Sequence, residues 1–238
     1  AARRAGTVGP VHGVTTRIDD GPELRPTRGD QLFWRGPDRS LVGHGVAARV
    51  PFDRGDRDRG AAEAQAALGA LGAGRAPGDA PLVAFAALAF DPDAPGALIV
   101  PEVLVDRRPD GSRWLTVLDG STPDAALARL TAPTEPAAQP TRHELTSMLA
   151  PEVWRDEIVA VVRDRIAAGE LDKAVLAREL ALRTDRPIDI AEVVRRLCAT
   201  HPAAMVFAVE GFVGASPAGP RYSAHEAPPR GAWRGEGS

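Results

Sequence analysis

GELDKAVLAREL, Gly169 to Leu180, lies where one hydrophobic period gives way to another. Before it, Pro151 to Ala168 places Trp154, Ile158, Val161, Val162 and Ile166 at helical spacing, which predicts an amphipathic helix ended by Gly169. After it the period is two. From Leu171 to Arg183, Leu176, Leu180 and Leu182 fall on one side and Lys173, Val175, Ala177 and Glu179 on the other, so a strand is predicted. Asp189 with Glu192 has the form of a capping box, and Val193, Val194, Leu197 and Cys198 make the inward stripe of the helix it opens. Ala203 to Val213 reads as one further strand, running into Gly214-Ala215-Ser216-Pro217. Helix, strand, helix and strand succeed one another, and Lys173 starts a strand directly after a glycine-ended helix.

Lys173 is also chemically singular. The chain has 29 basic residues, and Lys173 is its single lysine. Most lysines only solvate a surface, and drift from lysine to arginine can leave one behind by accident. Yet an arginine cannot release its proton in a protein. A lysine whose surroundings lower its pKa can, and can then serve as a base.

The first half is richer in strands. Gln31 to Phe52 reads as a β-hairpin: Leu32 to Trp34, a turn at Gly36-Pro37-Asp38, and a return strand over Leu41 to Val50. Phe52 to Gly60 reads as a charged, solvated loop, and Ala61 to Leu71 as a helix. Pro81 to Phe90 is compatible with a buried strand. Ala97 to Val105 and Ser112 to Leu118 are two more strands, joined by Pro109-Asp110-Gly111. Residues 120–150 hold a short Ala-rich helix and then a Pro/Thr/Ala linker. This is not a regular βαβ alternation. The fold class expected is α+β, with a mixed, largely antiparallel sheet flanked by helices.

Composition excludes several functions. Hydrophobic residues at 44% and charged residues at 26% are ordinary for a globular chain, and the net charge is only −3. No basic stripe with interleaved aromatics exists, so nucleic acid is not an expected partner. No apolar run is long enough for a membrane helix, so no membrane partner is expected either. The one cysteine, Cys198, rules out an internal disulfide framework, fits a reducing cytoplasm, and reads as a small core residue. Five histidines, His12, His44, His143, His201 and His225, are widely spaced without metal-ligand spacing. His201 sits at a helix end, where a histidine caps carbonyls. The two RGD tripeptides, at Arg28 and Arg54, are what an Arg-, Gly- and Asp-rich chain yields by chance. Leu68 to Gly78 has glycines without phosphate-loop spacing, and Asp91 and Asp93 suit an Asp-Pro turn.

GELDKAVLAREL resembles the signature of the chorismate-utilising enzymes, in the form typical of isochorismate synthases. The resemblance continues through HPAAMVFAVEGFVGASP, His201 to Pro217, and more softly through FWRGPDRSLVGHGVAARV and VPEVLVDRRPDGSRWLTVL. It extends from about Leu32 to Pro217. It implies conversion of chorismate to isochorismate with Mg²⁺. In such enzymes a lysine activates the water that attacks C2 of the ring, and a glutamic acid protonates the departing C4 hydroxyl. The family lysine falls on Lys173, expected as general base. The related anthranilate synthases do not typically carry a lysine there, which favours water as nucleophile. Salicylate synthases keep the lysine and go on to eliminate pyruvate, so they stand as the alternative activity. The family is often monomeric, so a monomer is expected of a complete protein.

The match stops abruptly. The family motif continues GASPE, and that glutamate is the acid; here Ala218 follows Pro217. The Pro-, Arg- and Gly-rich tail that follows does not resemble the family. Its Glu226 is not a convincing substitute. The Mg²⁺ ligands and the basic clamp for the carboxylates are expected in a C-terminal half that is missing, so no metal or cofactor ligand is assigned. The organisation expected is an irregular segment over residues 1–30, a partial chorismate-binding domain over 31–217 and a disordered tail over 218–238. A chain starting at Ala1 and ending this way reads as a fragment, with a shifted reading frame after codon 217. Such a chain is expected to be inactive, with exposed apolar strands and poor solubility. A truncated pseudoenzyme that folds by pairing with another chain is the non-catalytic alternative.

Overall fold

The structure, a computed structural model, describes residues 13–19, 24–52, 57–72, 82–87, 96–134 and 137–217. In chain order the elements are β1 (Val14–Ile18), β2 (Leu32–Arg35), β3 (Ser40–His44), β4 (Ala48–Phe52), α1 (Arg57–Gly72), β5 (Phe85–Ala87), β6 (Gly96–Val100), β7 (Val103–Arg107), β8 (Arg113–Val117), α2 (Pro123–Thr131) and β9 (His143–Ser147). A helical run follows: α3 (Pro151–Val153), a π-helical stretch (Trp154–Val159) and α4 (Ala160–Ala167). Then come β10 (Leu180–Thr184), α5 (Ile190–Thr200), β11 (Ala204–Val209) and β12 (Phe212–Pro217). They divide into two units: Ala1–Glu135 with Ile190–Ser238, and Pro136–Asp189.

The first unit is built on a seven-stranded sheet in the order β1-β8-β7-β3-β2-β11-β12, every pairing antiparallel. Strand alternation sends successive side chains to opposite faces and so makes two cores. Phe33, Val42, Val103, Val105, Leu115, Val206 and Ala208 point to one face, where Ala126 and Leu130 of α2 and Val194 and Cys198 of α5 pack on them. Leu32, Leu41, Leu104 and Val209 point to the other, against Phe85, Ala97 and Ile99 of a three-stranded sheet, β4-β6-β5. That second sheet buries its far side too, with Ala48 and Val100 against Leu71 of α1. Helices, sheet, sheet and helix thus stack as layers, in an α+β fold with antiparallel sheets.

Buried polar groups fix how the layers meet. Arg35 is the last residue of β2 and points to the helical side. Its guanidinium donates to the carbonyls of Cys198, His201 and Ala204 at 3.3, 2.9 and 3.2 Å. These are carbonyls at and just past the end of α5, which have no partner inside the helix. Buried Gln31 does the same for α2. Its Nε2 donates to the Leu130 carbonyl at 2.8 Å, and its Oε1 accepts from the Thr27 amide at 2.7 Å. At the other end of α2, the Thr122 hydroxyl accepts from the Ala125 amide and Pro123 occupies the first turn.

Several expected elements are found in altered form. The β2–β3 hairpin turns at Gly36-Pro37-Asp38 as expected, and β7–β8 turns through 108–112. Each expected long strand, however, is two. Leu41 to Val50 breaks between β3 and β4, and Ala97 to Val105 breaks at Pro101-Glu102, so each pair is divided between the two sheets. Ala203 to Val213 breaks at Glu210-Gly211, where φ values of 50° and 85° make a tight hairpin. Residues 57–60, read as loop, are the first turn of α1. The expected buried strand over Pro81 to Phe90 is described only from Leu82 and contains the short β5. The linker expected before Ala150 contains β9. Residues 218–238, with Ala218, Glu226 and His225, lie outside the described residues, as do His12, Asp91, Asp93 and residues 54–56.

The second unit is a two-stranded antiparallel sheet, β9–β10, with the helical run between its strands. The run ends as the sequence requires. Gly169 has φ 75°, its amide donates to Ile166 O at 3.0 Å, and the Glu170 amide donates to Arg165 O at 3.0 Å. This pair of bonds is a Schellman motif, which needs a residue at home in the left-handed region.

Candidate functional site

Lys173 lies in this second unit, four residues after the glycine that closes the helix. The strand expected from Leu171 begins only at Leu180. A strand needs a partner, and β9 offers five residues, paired with 180–184 from Ser147–Leu180 to His143–Thr184. One weaker bond, Met148 N to Glu179 O at 3.4 Å, extends the ladder a step further. Residues 171–179 therefore run without regular structure. Lys173 is exposed, and so are Val175 on its own expected side and Leu176 on the other. Among the described residues Lys173 makes no hydrogen bond or ion pair.

The Gly214-Ala215-Ser216-Pro217 segment belongs to the first unit and forms most of β12, an edge strand. Register sets Gly214 opposite Phe207 and Ser216 opposite Met205. A Cβ on Gly214 would clash with the tip of the Phe207 ring across the strand pair, so any larger residue there needs that ring to move. Val213 faces the α5 side with Val206 and Ala208, and Phe212, 75% exposed, begins the strand on the opposite face. Pro217 pairs with Ala204 and is the last described residue.

Other titratable clusters have structural work. Asp106, nearly fully buried, accepts from Arg39 at 2.8 and 2.9 Å and from Arg108 at 3.4 Å, and Arg108 stacks 4.7 Å from the Trp114 ring. The hydrogen bond to Asp106 holds the Arg39 guanidinium above its ordinary pKa. Arg196 and Arg195 donate to Glu192 and hold its carboxyl below the usual range. The tripeptide Arg28-Gly29-Asp30 joins His44: Arg28 Nη2 lies 3.1 and 3.0 Å from the two His44 ring nitrogens, and Asp30 lies 3.9 Å from Nδ1. The sequence offered no signal for that group, because it joins the turn before β2 to the end of β3. Cys198 is buried in the α5 stripe as expected. His201 makes its bonds through its backbone, its amide to Leu197 O and its carbonyl to Arg35. No group of three His, Cys, Asp or Glu among the described residues could hold a metal ion. Nor is any helix among them long and apolar enough to cross a membrane.

Residues 22–218 match the family model described as chorismate binding enzyme. The chain belongs to the chorismate binding enzyme family. The match takes in both the Lys173 segment and β12, as the resemblance implied. The chain is 31% identical over 197 residues to a protein provisionally named isochorismate synthase MenF in two strains of Mycobacterium tuberculosis, covering 76% of this chain and 42% of that protein. It therefore spans about half the length of the curated relatives it matches. Among solved structures, it resembles the menaquinone-specific isochorismate synthase MenF of Escherichia coli with a TM-score of 0.58 at 20% identity, over 91% of this chain and 52% of that one. It also resembles a provisionally named 2,3-dihydroxybenzoate-specific isochorismate synthase, DhbC of Bacillus anthracis, with a TM-score of 0.51 at 22% identity, over 80% of this chain and 45% of that one. These structural likenesses establish the chorismate binding enzyme fold for the chain.

Proposed function

We propose that the chain supplies the base-bearing portion of an isochorismate synthase, with chorismate as substrate and water as nucleophile. The observation that carries this reading is the retention of one lysine, Lys173, within GELDKAVLAREL in a chain that otherwise uses arginine. Its membership of the family, and relatives named as isochorismate synthases, support it. Lys173 Nζ would take a proton from the water that adds at C2 of the ring, a role that arginine cannot fill. Such a base needs a covered environment that favours its neutral form, which the exposed 171–179 segment does not itself provide.

The proton for the departing C4 hydroxyl requires an acid, and Ala218 stands where the family motif has glutamate. Mg²⁺ enters this reading through the family alone. The described residues do not assemble a metal group, so no step is routed through the ion. By itself the chain is expected to be inactive on chorismate. Within the family, a salicylate synthase-type activity would use the same lysine. A non-catalytic chain would leave it unused.

The test is turnover of chorismate by a protein in which this chain is joined to the remaining half of the family fold. Isochorismate should form, and Lys173→Gln and Lys173→Arg should each lower kcat by about 10²–10⁴-fold, the range for loss of a general base. Turnover indifferent to both substitutions would remove Lys173 from the mechanism. Release of pyruvate would move the assignment to salicylate formation.

A further inference from the structure

The β7–β8 hairpin sets two arginines side by side. Its turn closes with the Gly111 amide donating to Arg108 O and the Arg108 amide donating to Ser112 O, both at 2.9 Å, and with Gly111 at φ 84°. In a hairpin loop of this kind, Arg108 and Ser112 occupy the first hydrogen-bonded position. The next pair, Arg107 and Arg113, is then of the non-hydrogen-bonded kind, where opposite side chains come closest. Like charges directly opposite each other repel. Both side chains leave the sheet on the face of Val105 and Leu115, the side of the helices. Register continues that row through Ser40, small and buried, to Arg35. Three cations share the row, and no carboxylate stands in it.

The surroundings compensate one of the three. Arg35 spends its guanidinium on the carbonyls that close α5, where the helix carries partial negative charge. The hairpin pair has no such partner. Asp106 leaves β7 on the opposite side and is held by Arg39 and Arg108. Asp19, just past β1, meets Arg113 through its carbonyl, 3.2 Å from Nη1. Arg113 is only 9% exposed, and its Nε is buried without a partner. The Arg107 side chain, partly exposed, makes no hydrogen bond or ion pair among the described residues. A buried cation without a counter-charge is strongly destabilising, and an entering anion would relieve it. We propose that Arg107 and Arg113 form a binding site for a tetrahedral dianion of the phosphate class, either the free ion or the phosphate group of a small ester. Such a group has oxygens for two guanidinium forks and a charge that matches both, whereas one carboxylate has two oxygens and a single charge. The site uses no residue of the Lys173 segment and stands or falls apart from the proposed function.

The test titrates the full 238-residue chain with inorganic phosphate at constant ionic strength and follows the arginine Nε–Hε resonances. The Arg107 and Arg113 signals should move along one saturating curve, and Tm should rise with phosphate. Arg107→Gln, at the partly exposed position, should weaken binding by about tenfold or more, the loss of a charge-assisted hydrogen bond, with the far-UV circular dichroism unchanged. Arg113→Gln should weaken it as much; Arg107→Gln decides the matter where that buried substitution does not fold. Arg183→Gln, an exposed arginine of the second unit, should leave binding as it was. Glycerol 3-phosphate is the second probe: tighter binding than phosphate assigns the site to an ester, weaker binding to the free ion, and both keep the proposal. Shifts that do not saturate, or that survive Arg107→Gln, mean an adventitious ion only and overturn it. Acetate bound as tightly as phosphate overturns the choice of a dianion. Asp20 and Glu23 lie outside the described residues. If phosphate binds only after Asp20→Asn with Glu23→Gln, a carboxylate of the chain already holds the arginines, and the proposal fails.

Discussion

The two units use antiparallel strands for different ends. In the first, Phe33 sits at 0% exposure between neighbours on both sides, and both faces of its sheet are covered. In the second, the same kind of strand carries Leu182 at 50% exposure, with one neighbouring strand among the described residues. The first holds a core that can support a fold. The second presents a face and an extended lysine segment. Within one chain, the packed core and the proposed chemistry of Lys173 are therefore lodged in different places, the latter in the part with least packing of its own.

The sharpest contrast is a pair of truncations. Phe33→Ala should cost about 3–5 kcal/mol, the range for removing a buried aromatic ring. Leu182→Ala should change global stability by less than about 0.5 kcal/mol, as at an exposed site. Urea denaturation followed by far-UV circular dichroism checks both. A large loss at Leu182 would break the comparison, because it would mean that the face is already covered in the isolated chain.

A smaller effect is expected at the end of the large sheet. Gly214→Val places a branched side chain where the Phe207 ring lies, so it should cost about 1–3 kcal/mol by overpacking. Phe207→Ala in that background should return part of the loss. The glycine of the family-like segment would then be explained by packing. If Gly214→Val leaves stability unchanged, the glycine is free to serve something other than the sheet.

The sequence made some of this legible and hid the rest, for physical reasons. Local signals carried well. Gly36-Pro37-Asp38 and Pro109-Asp110-Gly111 bend the chain where they should, and Gly169 ends its helix, because each acts through its own backbone. Non-local choices did not carry. Whether β4 and β6 join the large sheet or form their own depends on partners far along the chain, and apolar runs through Gly45 and Pro101 read as continuous. β9 was hidden because His143-Glu144-Leu145-Thr146-Ser147 has one apolar residue, and its pairing is decided by β10. For the candidate site, residue type singled out Lys173 as the chain's one lysine, and its role as a base remains the proposal made above. Its setting was not legible, since a strand drawn through Lys173 would need a partner that β9 is too short to provide.

A finer test lies at the β11–β12 turn. Glu210 has φ 50°, a conformation that costs a side-chain residue about 1 kcal/mol, and its carboxylate pairs with Arg49 of β4. Glu210→Gly relieves the backbone and loses the pair, which at a surface contributes up to about 1 kcal/mol. The two terms oppose, so the net change should lie within about 0.5 kcal/mol. Arg49→Ala alone should destabilise slightly, and adding Glu210→Gly should then stabilise. A double-mutant cycle separates the terms.

The smallest expected effect returns to the second unit and depends on pH. The Asp185 carboxylate accepts from the Thr141 hydroxyl at 2.7 Å, the Thr141 amide at 3.0 Å and the Arg142 amide at 3.1 Å, joining the entry of β9 to the exit of β10. These bonds, the Thr141 hydroxyl first, hold its pKa below the usual value. A depressed folded-state pKa means a contribution fully present above the unfolded value of about 3.9 and lost as pH falls through the folded one. The group is exposed, so the change should be local. On lowering pH from 6 to 2, amide protection in β9–β10 should fall while β2 and β3 stay protected, and Asp185→Asn should flatten the response. Asp110 and Asp119 serve as controls in the first unit. Ser112 and Ser121 lower their pKa values by the same kind of contact, so their turns should loosen over a similar range. The strands beside those turns are held by Leu115, Val117 and Leu130, all buried, and should not follow. If they do follow, the first unit is no better anchored than the second, and the contrast between them fails where it is easiest to measure.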